Sequence, residues 1–183
     1  MARLSKLEPS RYALFARLIF QAQKWKYGAP LEPAYYWGLA PKILCGLQVL
    51  YRCLDRRSSP LEAELRALVS NRIAHLCHCA FCSDLSAASL QGRGVPAAKI
   101  LAVDAYASEP SFTPRERAAI AYAEAVVGTD QAIVDARLTA LKEFFGEDEI
   151  VELTGWICFQ ILSAKFNAAL DIPAQGFCRL PDR

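Results

Sequence analysis

Leu65-Arg66-Ala67-Leu68-Val69 runs through Arg72-Ile73-Ala74-His75-Leu76-Cys77-His78 into Cys79-Ala80-Phe81-Cys82-Ser83-Asp84-Leu85. Leu65, Leu68, Val69, Ile73 and Leu76 recur at helical spacing, which predicts a helix ending at the cysteines. Both histidines of the chain and three of its seven cysteines fall between positions 75 and 82. A second helix is expected to begin close to Cys79. Two thiols three positions apart then share one helix face.

That placement has chemical consequences. A thiol near a helix N-terminus feels unpaired backbone N–H groups and the positive end of the dipole, which favour thiolate over thiol. The thiolate attacks a peroxide oxygen or a disulfide sulfur, and a neighbouring cysteine resolves the sulfenic acid as a disulfide. His75 and His78 are candidates to donate or accept a proton near neutral pH. Two other readings compete: Cys79 and Cys82 as buried core thiols, or Cys77, His78, Cys79 and Cys82 as zinc ligands. Structural zinc draws on two separated pairs, and no second CxxC or HxxxH exists, so no metal is expected.

The rest of the chain bounds the setting. Its 183 residues are 54% apolar and 22% charged with a formal charge of +2, a globular composition with room for one core. Basic residues are dispersed, so no nucleic-acid partner is expected. No apolar run reaches membrane-span length, and the N-terminus shows no signal-peptide pattern, so the expectation is a cytoplasmic protein. Cysteines in such a compartment stay reduced. Cys45, Cys53 and Cys158 sit among apolar neighbours and are expected in the core.

Helical periodicity recurs almost throughout, without β-type alternation. Helices are expected over residues 10–26, 41–55, from the Ser59-Pro60-Leu61-Glu62 capping box to the cysteines, 79–91, 96–103, 115–127, 133–145 and 148–170. Thr113-Pro114-Arg115-Glu116 repeats the capping-box pattern, and Gly146 is read as a helix stop. The fold class is all-α: an N-terminal helical extension over 1–39, a helical domain over 40–176 and a tail over 177–183.

The cysteine segment with its flanks resembles the carboxymuconolactone decarboxylase and alkylhydroperoxidase D-like superfamily. So do residues 112–125, Phe144-Phe145-Gly146-Glu147-Asp148-Glu149-Ile150-Val151-Glu152-Leu153, and Phe166-Asn167-Ala168-Ala169-Leu170-Asp171-Ile172-Pro173. The resemblance covers about residues 40–176. It implies a single-domain helical bundle, a homo-oligomer (trimer or hexamer), a hydroperoxide or other small-molecule substrate, a thiol reductant or redox protein as partner, and no cofactor. It also implies that Cys82 attacks and Cys79 resolves. The superfamily's proton relay pairs a glutamate before the motif with a histidine after it, and Ala67 and Ser86 stand at those positions. Glu64, one helical turn earlier, is the candidate replacement acid. Asp84 is read as structural and Arg72 as a partner for an acid or a thiolate. Two functions follow: a peroxidase-type, alkylhydroperoxidase-like oxidoreductase, or a non-enzymatic assembly module or redox sensor that lost the relay.

Overall fold

The computed structural model describes residues 2–179, and among them there is no strand. Nine α-helices follow in order: α1 (Leu14–Tyr27), α2 (Glu32–Trp37), α3 (Pro41–Leu54), α4 (Ala63–Leu76), α5 (Ala80–Gly92), α6 (Ala97–Leu101), α7 (Pro114–Gly128), α8 (Gln131–Leu141) and α9 (Glu147–Ala169). The all-α expectation holds. No helix is long and apolar enough to cross a membrane, among the described residues.

Helix α4 is the hub, packed against α5, α7 and α9. Its residues 65–71 are buried without a break, followed by Ile73 and Ala74. A helix covered all round cannot keep its polar face in water, so Arg66, Ser70 and Asn71 have to find partners inside. Leu68, Val69, Ile73, Leu90, Ile120, Leu153 and Ile157 are among the fully buried residues of the core. A smaller cluster of Tyr12, Ala16, Phe20 and Ala34 receives Leu44 from α3. Trp37 stacks on Phe166 with centroids 3.5 Å apart, and Arg3 N–H donates to the Leu170 carbonyl, so the N-terminal extension is tied to the end of α9 at Arg3 and Trp37 while α1 and α2 pack on α3.

Helix ends follow local capping chemistry, with three departures from the sequence expectation. Thr113 caps α7 as expected: its hydroxyl accepts from Glu116 N–H at 3.2 Å, and Glu116 accepts from Thr113 N–H at 2.8 Å. Ser59 does not start a helix. Its hydroxyl accepts from Leu61 N–H at 3.3 Å, its own N–H is held by the Arg56 carbonyl, and α4 begins only at Ala63. The buried Arg66 guanidinium takes the Leu61 carbonyl, which fixes residues 59–62 as a turn. Asp130 opens α8 two residues early by accepting from Ala132 N–H at 3.0 Å. Gly146, expected as a stop, is the first residue of the next cap, donating to Glu149 at 2.9 Å.

The remaining cysteines depart further. Cys45, Cys53 and Cys158 are exposed. Helix α3 buries only Leu44 fully and leaves Ile43, Val49 and Leu50 in solvent. An apolar period therefore marked a helix but did not say which apolar side faced inward. The two capping patterns make a paired test. Thr113→Ala should cost about 1 kcal/mol in urea unfolding, whereas Ser59→Ala should change stability by less than about 0.5 kcal/mol.

Candidate functional site

Helix α4 ends at Cys77, and the chain turns sharply before α5 begins. His78 makes this turn in the left-handed region at φ 53°, a conformation that costs a non-glycine residue about 1 kcal/mol or more. The turn is closed by Cys79 N–H donating to the Ala74 carbonyl at 2.9 Å. Cys79 is then the N-cap of α5, and its Sγ accepts from Cys82 N–H at 3.1 Å, the bond a serine would make there. Cys79 and Cys82 are joined by a disulfide, with Cα atoms 5.3 Å apart.

The two sulfurs differ in access. Cys79 is 2% exposed, while Cys82 is partly exposed and lines a cavity of about 590 Å³. Ala67 of α4 and Ser86 of α5 border that cavity, with Tyr51, Trp156 and Phe177 among its aromatic walls. The two positions where the superfamily would carry its relay thus face the same space as Cys82. Ser86 is not free to act as a relay. Its hydroxyl donates to the Cys82 carbonyl at 2.6 Å and accepts from Asn71 Nδ2 at 3.0 Å.

Lys26 and Arg93 stand exposed at the edge of the cavity, while the charges deeper in its wall are internally paired. Arg66 Nη2 lies 3.0 Å from Asp55 Oδ1, and Tyr51 donates its hydroxyl to Asp55 Oδ2 at 2.8 Å. Burial, then the Asp55 carboxylate, pushes the Tyr51 phenol well above its ordinary range, so it serves as a neutral donor. Trp156 Nε1 donates to the Arg66 carbonyl and to Ser70 Oγ, both at 3.0 Å.

The other sequence candidates lie elsewhere. His75 and His78 border a second cleft, of about 570 Å³, together with Cys79, Asp84 and Cys178. His75 Nδ1 is 2.8 Å from Asp104, which also pairs with Arg72 at 2.6 Å. Arg72 reaches Glu124 as well, so of its two expected roles the structure gives it acids as partners. Glu64 does not point where the missing glutamate would be. It stands 3.4 Å from Lys99 Nζ with its side chain 44% exposed, outside the lining of the Cys82 cavity. The structure brings Cys79 and Cys82 together and parts Glu64 and both histidines from the Cys82 cavity. Cys77 is buried, and burial pushes its thiol up, with Lys165 opposing the effect. Among the described residues no group of three or more metal-ligating side chains is assembled.

Two buried asparagines near the dithiol were missed by the sequence reading. Asn167 of α9 donates Nδ2–H to Cys82 Sγ at 3.3 Å, and Asn71 of α4 supports Ser86; each is 1% exposed. The only sequence signal was an amide at a position whose helix neighbours are mostly apolar. Asp84, by contrast, was read correctly as structural. Its carboxylate accepts from three backbone N–H groups of the tail: Gln175 at 2.9 Å, Phe177 at 3.1 Å and Cys178 at 2.8 Å. This strap sets the Phe177 ring 6.3 Å from Phe81 and 6.1 Å from Tyr27, at the edge of the cavity. Asp84→Ala should speed amide hydrogen exchange at residues 175–178 by at least about tenfold and lower stability by about 1–3 kcal/mol.

The carboxymuconolactone decarboxylase family pattern matches residues 49–125, which contain α4, the dithiol turn, α5 and most of α7. The chain is 41% identical over 170 residues to the uncharacterized protein YnjA of Escherichia coli K12, across 91% of this chain and 93% of that protein. Among solved structures it resembles an alkylhydroperoxidase AhpD core, an uncharacterized peroxidase-related protein from Ralstonia eutropha JMP134. The TM-score is 0.86 at 17% identity, over 96% of this chain and 94% of the other. The debrominase Bmp8, in complex with 2,3,4-tribromopyrrole, superposes with a TM-score of 0.78 at 17% identity over 97% and 95% of the two chains. Nearly full-length identity to one relative, a pattern match through the dithiol and a shared helical fold agree: the chain belongs to the carboxymuconolactone decarboxylase family, with an alkylhydroperoxidase D-like fold.

Proposed function

We propose that the protein is a thiol-dependent peroxidase-type oxidoreductase in which Cys82 attacks a hydroperoxide and Cys79 resolves. The carrying observation is the asymmetry of the pair: Cys82 borders a cavity, and the linked Cys79 is buried behind it. In the reduced protein the Cys82 thiolate attacks one peroxide oxygen and the O–O bond breaks. The alkoxide leaves and takes a proton as alcohol. Cys82 becomes a sulfenic acid, and the Cys79 thiolate displaces its hydroxyl as water after one protonation. Two thiols and one hydroperoxide thus yield a disulfide, an alcohol and water. A dithiol or a redox protein returns the two electrons by exchange.

Cavity size favours an organic hydroperoxide over hydrogen peroxide. About 590 Å³ walled by Tyr51, Phe81, Trp156 and Phe177 lies in the range of small-molecule sites and is far larger than hydrogen peroxide needs. Five cysteines are free thiols, which supports a reducing compartment such as the cytoplasm. The absent glutamate–histidine relay favours a second reading, a redox sensor oxidised once per reduction. The two separate in one assay. Cumene hydroperoxide with excess dithiothreitol should be consumed over many turnovers, and Cys82→Ser should abolish this. Cys79→Ser should leave a single oxidation of Cys82 without turnover. Stoichiometric oxidation of the native protein and no turnover would select the sensor.

We further propose that the protein is a homo-oligomer. Trp25 is 94% exposed on α1, on the same side as Leu14 and Leu18, while Ile43, Val49 and Leu50 stand out from α3 and Val151 from α9. This much large apolar surface is more than a monomer usually leaves in water. Multi-angle light scattering at micromolar concentration should give a mass of at least two chains, and Trp25→Glu with Leu18→Glu should reduce it.

A further inference from the structure

Under the peroxidase reading Cys82 has to ionise at neutral pH without the relay its family uses, and besides its disulfide partner Cys79 one described side chain hydrogen-bonds its sulfur. Asn167 Nδ2–H donates to Cys82 Sγ at 3.3 Å from the opposite helix, α9, and Asn167 is 1% exposed. The other end of the same amide, Oδ1, is buried with no hydrogen-bond partner. A buried unpaired carbonyl is destabilising; Asn71, at the same depth, also has an unpaired Oδ1 but donates to Ser86 and the Ser83 carbonyl, so the sulfur partner is what sets Asn167 apart. Here the one side-chain bond goes to sulfur. An apolar residue would fill the site at less cost if packing were all it required.

We propose that Asn167 is a catalytic residue: its amide N–H holds the reduced Cys82 sulfur in its anionic form, replacing general-base activation by a fixed donor. The proposal deepens the peroxidase reading, since it rests on Cys82 as the attacking sulfur. A hydrogen bond to a sulfur strengthens when the sulfur carries charge, so it favours the thiolate over the thiol. The α5 N-terminus adds to this, because Cys82 lies in its first turn. Asn71 acts one step back: by holding Ser86, whose hydroxyl binds the Cys82 carbonyl, it fixes the backbone that aims the sulfur at Asn167.

Charged and titratable groups on the surrounding elements are engaged otherwise or stand at the edge. Arg66 of α4 pairs with Asp55, and Tyr51 of α3 donates to Asp55. Asp84 of α5 is bound to the tail, and Lys26 of α1 and Arg93 beyond α5 are exposed residues bordering the cavity. His75 and His78 lie in the other cleft with Cys79, and Lys165 of α9 acts on Cys77. Asn167 is the side chain hydrogen-bonded to the Cys82 sulfur among the described residues.

The test reads the thiol itself, with no peroxide present. In fully reduced protein, iodoacetamide alkylation of Cys82 is followed by peptide mass spectrometry from about pH 5 to pH 10 in wild type, Asn167→Ala and Asn167→Asp. Circular dichroism checks the fold. The expected apparent Cys82 pKa rises by about one unit in Asn167→Ala, tenfold in thiolate fraction below the pKa, and further in Asn167→Asp, where a carboxylate faces the sulfur. The native protein supplies a measurement independent of any variant. The Asn167 side-chain ¹⁵N–H₂ resonances should titrate with the same midpoint as Cys82 alkylation. Unchanged Cys82 titration in a folded variant, or Asn167 amide shifts insensitive to Cys82 ionisation, would overturn the proposal. Absence of peroxide turnover with the expected titration would instead reject the peroxidase reading and leave the role of Asn167 standing.

Discussion

Arg66 carries a positive charge on the stretch of α4 that is buried without a break, and three helices are arranged around answering it. Its guanidinium binds Asp55 after α3 and the Leu61 carbonyl before α4, and the Trp156 ring of α9 lies 5.6 Å from its charged centre. A buried cation left unpaired would cost several kcal/mol, so these partners are obligatory. Together they fix the separations of α3, α4 and α9 on the side where Cys82 opens. Arg66 and its partners thus fix one wall of the cavity, and the Asp84 strap places Phe177 at another.

Around this constraint the dithiol is placed by three short-range devices. A left-handed His78 reverses the chain, the Ala74 carbonyl receives the Cys79 amide, and the Cys79 sulfur caps α5. The polar side chains of the buried α4 then reach across helices. Ser70 meets Trp156, and Asn71 meets Ser86. Helix α9 contributes Asn167 in the same manner. The site is therefore assembled from backbone geometry on one side and amide side chains on the other, with no ionisable side chain hydrogen-bonded to the Cys82 sulfur among the described residues.

What could be read in advance follows from the range of each interaction. Thr113 and Glu116 are three residues apart and cap one another, so local pattern sufficed. The same pattern at Ser59 misled, because a long-range demand from Arg66 on the Leu61 carbonyl set the turn instead. Cys45, Cys53 and Cys158 were misplaced because apolar periodicity does not reveal which side of a helix meets the core. The Cys79–Cys82 pair was legible from spacing three and the start of α5 near Cys79 from the pattern, but the sulfur cap was not. Nor was Asn167, since its partner lies 85 positions away and the family-like segment around it carries no sign of that contact.

The cap at Cys79 has one more consequence. With the disulfide closed, the Cys79 sulfur accepts Cys82 N–H within the first turn of α5, so the start of the helix itself holds the two cysteines together. Little chain entropy remains to be lost when the bond forms, which corresponds to a high effective molarity for one thiol toward the other. In the proposed cycle, oxidation and reduction would alternate without unwinding the helix. The sulfenic acid formed on Cys82 would have a short lifetime against over-oxidation, because its captor is held in place by the same hydrogen bond that begins the helix.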